Sequence, residues 1–411
     1  MSHAKPSTQS IIFLVLLIDL VGFSIIFPLF PSLLSYYLKY DTSFFLRYTL
    51  DVIHSFATFI GSSSEKTVVV LFGGFLVSIY SFLQFFFSPL FGKLSDRYGR
   101  KPLFLLSTIG MAVSYFVWIL AGNFSILILA RIIGGIMSAN IATASAAMAD
   151  ITSTENRTKG MTLIGIAFGV GFILGPALGG MLSIIDLTTI FPELIRYGIN
   201  PFSAPAIFAC IITITNAVII HKFFHETMRQ NPEQVLPYAV RTINPIRMMR
   251  NIEYPGVSRT NTVYFLYILI FSGMEFTLTF LAVERFQFSP MQNAFMFVFL
   301  GIVSSFFQGG FVRKNASRIG EGKLSISGFL FLIPGFALIG FSENVIMLYA
   351  GLFLLSLGSA QILPCLSSLI SMYTPEYDQG RMLGIFRSLG GLSRTIGPLL
   401  GCIMYWKLGS T

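Results

Sequence analysis

Residues 92–102 read Gly92-Lys93-Leu94-Ser95-Asp96-Arg97-Tyr98-Gly99-Arg100-Lys101-Pro102, a charged knot between two long apolar runs. The flanking runs decide the fold class. Each is long enough to cross roughly 30 Å of hydrocarbon. Backbone N–H and C=O groups find no water there, so single runs of this length must be helices. The knot itself holds two glycines, one acid and four basic residues, which is more chemistry than a solvated turn needs.

Similar apolar runs recur from end to end of a 411-residue chain that is 54% apolar and only 11% charged, a composition that excludes a soluble fold. They predict an all-α membrane protein with spans near 10–36, 67–91, 102–122, 124–148, 161–183, 204–223, 261–283, 290–312, 324–341, 345–372 and 380–406. Met1 to Gln9 is short and polar, and the run after it is too long for a signal-peptide core, so an uncleaved first span is expected.

The net charge of +9 does not call for nucleic acid, because the basic residues sort by side. Of 27 Lys and Arg, 18 fall in, or within two residues of, alternate connections beginning with the N-terminus. That is the positive-inside pattern, and it puts the N-terminus and residues 224–259 in the cytoplasm. Residues 224–259 carry Pro232, Pro237, Pro245 and Pro255 in the longest polar stretch of the chain, and they divide it into a six-span half (1–223), a linker and a five-span half (260–411). Gly175-Pro176-Ala177-Leu178-Gly179 and Gly397-Pro398-Leu399-Leu400-Gly401 echo each other across the linker. Gly310 to Lys323 echoes the charged knot without its acid. Internal duplication of this kind is a transporter trait.

The knot resembles the loop between the second and third spans of major facilitator superfamily transporters. Leu17-Ile18-Asp19-Leu20-Val21-Gly22-Phe23 and Ala130-Arg131-Ile132-Ile133-Gly134-Gly135, with Ala149-Asp150-Ile151-Thr152, resemble bacterial tetracycline/proton antiporters. Val263 to Phe288 and Arg387-Ser388-Leu389-Gly390 most resemble the eukaryotic tetracycline-transporter-like facilitators associated with organic-anion export. The similarity covers nearly the whole chain. It implies two pseudo-symmetric helical bundles, alternating access, proton antiport as the driving force, and small organic anions or drugs as cargo. The family normally has twelve spans, so a missing twelfth, from a truncated gene model or isoform, is the expectation. The ninth span has no acid and the eighth no histidine, a departure from the bacterial antiporters.

An ionisable side chain at depth costs about 2.5–3.5 kcal/mol on insertion scales and marks a pathway or a pair. Asp19 and Arg131 are such residues, serving either solute and proton coupling or a static ion pair. Gly134, Gly135, Ser138, Ala142 and Ser145 follow Arg131 at spacings that predict one smooth helical face. Glu275 and Arg394 fall at similar depth in the seventh and eleventh spans, again as a coupling pair or a fixed one. Asn140 and Gln361 are neutral polar groups for solute or for bonds between helices. Gly165, Gly169, Gly171, Gly175 and Gly179, interrupted by Pro176, serve tight packing, gating or both. Gly92, Asp96, Gly99, Arg100 and Asp150 form an expected cytoplasmic latch, with Asp96 able to face the positive end of the eleventh helix.

The alternative is a transport-inactive receptor or scaffold. An ATP-driven pump is disfavoured by the lack of a phosphate-binding loop. An enzyme is disfavoured because His3, His54, His221 and His225 sit at the tail or at loop ends, without a metal-ligand cluster. No cofactor and no metal is expected. The expected partners are a small-molecule substrate, protons and the lipid bilayer, and not nucleic acid; the chain is expected to be a monomer in the plasma membrane or an endomembrane.

Overall fold

The computed structural model describes residues 7–26, 29–59, 65–138, 140–228, 252–288 and 290–408. Most of the predicted linker, residues 229–251, therefore lies outside the described residues. Every regular element among them is helical: α1 (Thr8–Ser24), α2 (Phe30–Tyr40), α3 (Phe44–Phe59), α4 (Glu65–Tyr98), α5 (Arg100–Ile119), α6 (Phe124–Met137), α7 (Asn140–Asp150), α8 (Arg157–Leu182), the short α9 (Leu187–Ile190), α10 (Ser203–Phe223), α11 (Pro255–Phe286), α12 (Pro290–Phe307), α13 (Arg313–Ile319), α14 (Glu321–Gly340), α15 (Val345–Met372) and α16 (Gln379–Leu408). Eight stretches among the described residues are long and apolar enough to cross a membrane, and α1 is a shorter apolar helix.

The predicted spans fall on these helices with two differences. The first span ends at Ser24, and α2 starts again with Pro31 in its first turn, the one helical position where a missing N–H costs nothing. Helix α3 occupies a stretch with no assigned span. Leu46, Thr49 and Ile53 point inward along it while Phe44, Tyr48 and Val52 face out, a helical period too short and too mixed in charge to read as a span. The fourth span is carried by two described helices, α6 and α7, within one candidate membrane span, Phe124–Asp150.

Caps set several helix starts. The Asn123 side chain accepts from the Ile126 N–H at 3.0 Å, and Asn344 from Met347 at 2.8 Å. Gly99 and Gly320 occupy equivalent places in the two echoed knots, each with positive φ (99° and 92°) just before a helix. Each N–H bonds back to the carbonyl four residues earlier, Ser95 and Ala316. A Cβ would be strained at either position.

Helix α4 lies along α16 and α8 along α12, joining the first half to the second; α7 and α8 also meet α16 and α15. Glycine makes the first seam close. A Cβ added at Gly384 would come 2.7 Å from the Ser88 carbonyl oxygen, and one at Gly391 2.8 Å from that of Ser81. Gly92 faces Gly380 across the same seam. The α8 glycines serve two interfaces. Gly165 and Gly169 face Gln308 and Ser305 in the other half, whereas Gly171, Gly175 and Gly179 face Leu20, Ser24 and Ile25. There the Ser24 hydroxyl lies 3.0 Å from the Gly171 carbonyl and 2.7 Å from that of Leu20. Gly175 thus sits on the α1 seam, within one half.

Candidate functional site

Two groups of charged residues are assembled, one deep in the helices and one at the face that bears the 92–102 turn. In the deep group Asp19 is buried on α1, and its Oδ1 accepts from Asn140 Nδ2 at 3.0 Å. Asn140 is fully buried at the start of α7; its Nδ2 also lies 3.3 Å from Thr108 Oγ1, and its Oδ1 accepts from Ser107. The amide thereby ties α1, α5 and α7 together. On the face predicted to run from Gly134 to Ser145, Gly134 and Gly135 pack against Ser114, Tyr80 and Leu83.

The Arg131 guanidinium stands 6.0 Å from the centre of the Tyr80 ring, a cation over an aromatic face. Phe23 packs on the same ring at 4.9 Å. Asp19, Arg131 and, from the other half, Arg394 all act electrostatically on Tyr80. Arg394 is also the charged neighbour of Glu275, and both act on Tyr267. Glu275 and Arg394 share a field without closing to an ion pair within 4 Å. Gln361 is committed elsewhere. Its Oε1 accepts from Ser327 at 2.5 Å and its Nε2 donates to the Leu357 carbonyl at 3.0 Å, so it joins α15 to α14.

The second group is centred on Arg100, whose side chain is wholly buried. Its Nη1 donates to Asp96 Oδ1 at 2.6 Å and to Ser95 Oγ at 2.7 Å; its Nε donates to Asp150 Oδ2 at 2.9 Å. Asp96 faces the start of α16 as well, accepting from the backbone N–H groups of Gly380 (2.9 Å) and Arg381 (2.7 Å). A carboxylate at a helix N-terminus satisfies orphan donors and meets the positive end of the dipole. Burial pushes the Asp96 carboxyl up from 3.8 to about 6, against the pull of the Arg100 guanidinium.

Glu226, three residues past α10, has no motif around it that marks it in the sequence. Its two carboxylate oxygens accept from the N–H groups of Arg100 (2.9 Å) and Lys101 (3.1 Å), and Thr227 donates to Asp150 at 3.1 Å. Gly99 permits the approach, because a Cβ there would stand 2.5 Å from Glu226 Oε2. An acid just after a span gives no pattern of its own. Its partner is the backbone of a turn more than a hundred residues away.

Ionisable groups are buried among the helices, and a charged cluster joins the 92–102 turn to the start of α16. The profile of the Major Facilitator Superfamily matches residues 12–398. The chain belongs to the major facilitator superfamily. Among superfamily relatives it is 35% identical to major facilitator superfamily domain-containing protein 10 of Mus musculus, over 97% of this chain and 87% of the relative. It is 28% identical to the class B tetracycline resistance protein of Escherichia coli, over 97% and 88%. The crystal structure of the human organic anion transporter MFSD10 (TETRAN) superposes with a TM-score of 0.87 at 34% identity, covering 99% of this chain and 96% of that one. The transporter FucP in its outward conformation superposes at 0.68 with 13% identity, over 98% and 92%, and so shares the superfamily fold. The chain is accordingly a multi-pass membrane protein of a transporter family.

Proposed function

We propose that this chain is a secondary active transporter that moves small organic solutes, organic anions or drugs, by alternating access, with protons as the exchanged ion. The observation that carries the reading is the deep group: Asp19 held by Asn140, Arg131 over Tyr80, and Arg394 acting on Tyr80 in one half and Glu275 in the other. Charges kept in a membrane interior mark a pathway or a relay. Glu275 has a cation near it without a closed pair, so a change in its surroundings would change its proton affinity. Three arginines at depth favour an anionic cargo, and the name of the human structure agrees with that class.

The Asp96–Arg100–Asp150 latch would hold the cytoplasmic face shut, and its rupture would let the halves rock. The N-terminus would be cytoplasmic, by the distribution of Lys and Arg. One protomer contains the whole proposed pathway, which suits a monomer. Counterflow in proteoliposomes with labelled organic anions and amphipathic drugs, with and without a pH gradient, tests the reading. Saturable exchange stimulated by the gradient supports it; a panel that equilibrates no faster than in empty liposomes sinks it.

A further inference from the structure

Arg387 lies on α16, seven residues after Gly380 at the latch and seven before Arg394 in the deep group. Seven residues are close to two turns, so the three positions share a face and stand about 10 Å apart along the axis. Arg387 is 8% exposed. It bridges the two halves. Its Nη2 is 3.4 Å from Ser145 Oγ on α7, and its guanidinium carbon is 5.5 Å from the Phe168 ring on α8 and 5.6 Å from Phe386 in its own helix. Tyr264 of its own half is a further hydrogen-bonding neighbour. No carboxylate lies within 4 Å of it among the described residues, its Nε has no hydrogen-bond partner, and the other formal charge acting on it is a second cation, Arg394.

A fully structural arginine is expected to have its fork filled, because an unsatisfied buried charge is costly. Here one donor is open, the formal charge acting on it repels, and two aromatic faces line the sides. That is half of a site for an aromatic anion. Ser145 and Phe168 belong to the opposite set of helices and would withdraw when the latch opens.

We infer that Arg387 is an anion-receiving position on the latch side of the pathway, closed off while Asp96 holds α16 and exposed when the halves part. It takes the carboxylate or sulfonate of an aromatic anion, with the ring against Phe168 or Phe386. The inference rests on the transport reading for its purpose, but its site is separable from it. The site is distinct from the deep group, two turns further along α16, and it gives the solute a second foothold on the way to or from the latch face.

The test is equilibrium binding of labelled 2-naphthalenesulfonate to the purified full chain, using Asp96→Asn to weaken the latch. Asp96→Asn is expected to bind more tightly than the parent. Asp96→Asn/Arg387→Gln is expected to lose at least about tenfold of that affinity, the scale of one charged hydrogen bond, and Asp96→Asn/Arg387→Lys to recover most of it. The neutral 2-naphthalenesulfonamide should compete poorly in Asp96→Asn. Equal binding by Asp96→Asn and its Arg387→Gln derivative, with matching elution and melting profiles, overturns the site; so does a sulfonamide that competes as well as the sulfonate. If the Gln double variant does not fold, the Lys double variant and the sulfonamide competition decide. Binding as expected in a chain that shows no counterflow sinks the transport reading and leaves the site standing.

Discussion

Glu226 accepts the backbone N–H groups of Arg100 and Lys101 with its two carboxylate oxygens, so the first residues after α10 cap the helix that begins inside the charged knot. Lys101 returns the contact, donating its Nζ to the His221 carbonyl at 2.8 Å, near the end of α10. The charged turn is therefore held by α10 on one side and reaches α16 through Asp96 on the other.

Replacing that cap has a defined cost. Glu226→Ala leaves two helix-start donors to find water, and caps of this type are worth about 1 kcal/mol. Thermal unfolding in detergent should show a lower Tm for Glu226→Ala and a smaller drop for Glu226→Gln, which keeps one acceptor. Equal melting of all three proteins would remove Glu226 from the brace.

The seam between α4 and α16 tolerates no side chain at Gly384, where a Cβ would press on the Ser88 carbonyl. Gly384→Ala should push the helices apart and destabilise the shut latch. A cysteine placed at the fully buried Ser145 would then react faster with a membrane-impermeant maleimide, by about tenfold or more if opening costs about 1.4 kcal/mol less. Unchanged labelling would mean the seam absorbs the methyl group without opening.

The membrane helices were legible in the sequence because a twenty-residue apolar run would be insoluble anywhere but in lipid or a deep core, and the eight found among the described residues exceed what one core could hide. The charge cluster around Arg100 was legible because Asp96, Arg100 and the two turn glycines fall within one short segment. Relationships that depend on distant partners were less so. Gln361 is polar and deep, which allows either solute contact or a bond between helices; only Ser327 and the Leu357 carbonyl decide for the latter. Glu226 had no pattern to betray it. Helix α3 was hidden because its apolar face is only one side of a short helix.

Asn140 connects fold and candidate pathway. Asn140→Leu would leave the buried Asp19 carboxylate without its donor, a loss of about 2 kcal/mol. Asn140→Leu should melt earlier than the parent, and Asn140→Leu/Asp19→Asn should recover part of the loss. If the second change deepens the loss, the two side chains are not coupled as the 3.0 Å contact implies.

The transport reading depends most on the deep charges serving a moving solute. Counterflow of a labelled organic anion in proteoliposomes, compared among the parent chain, Asp19→Asn and Arg131→Ala at equal amounts of folded protein, addresses that directly. Saturable exchange in the parent that falls to the empty-liposome rate in both variants is the predicted result. Exchange that proceeds undiminished in both would show that Asp19 and Arg131 hold the helices in place and take no part in transport.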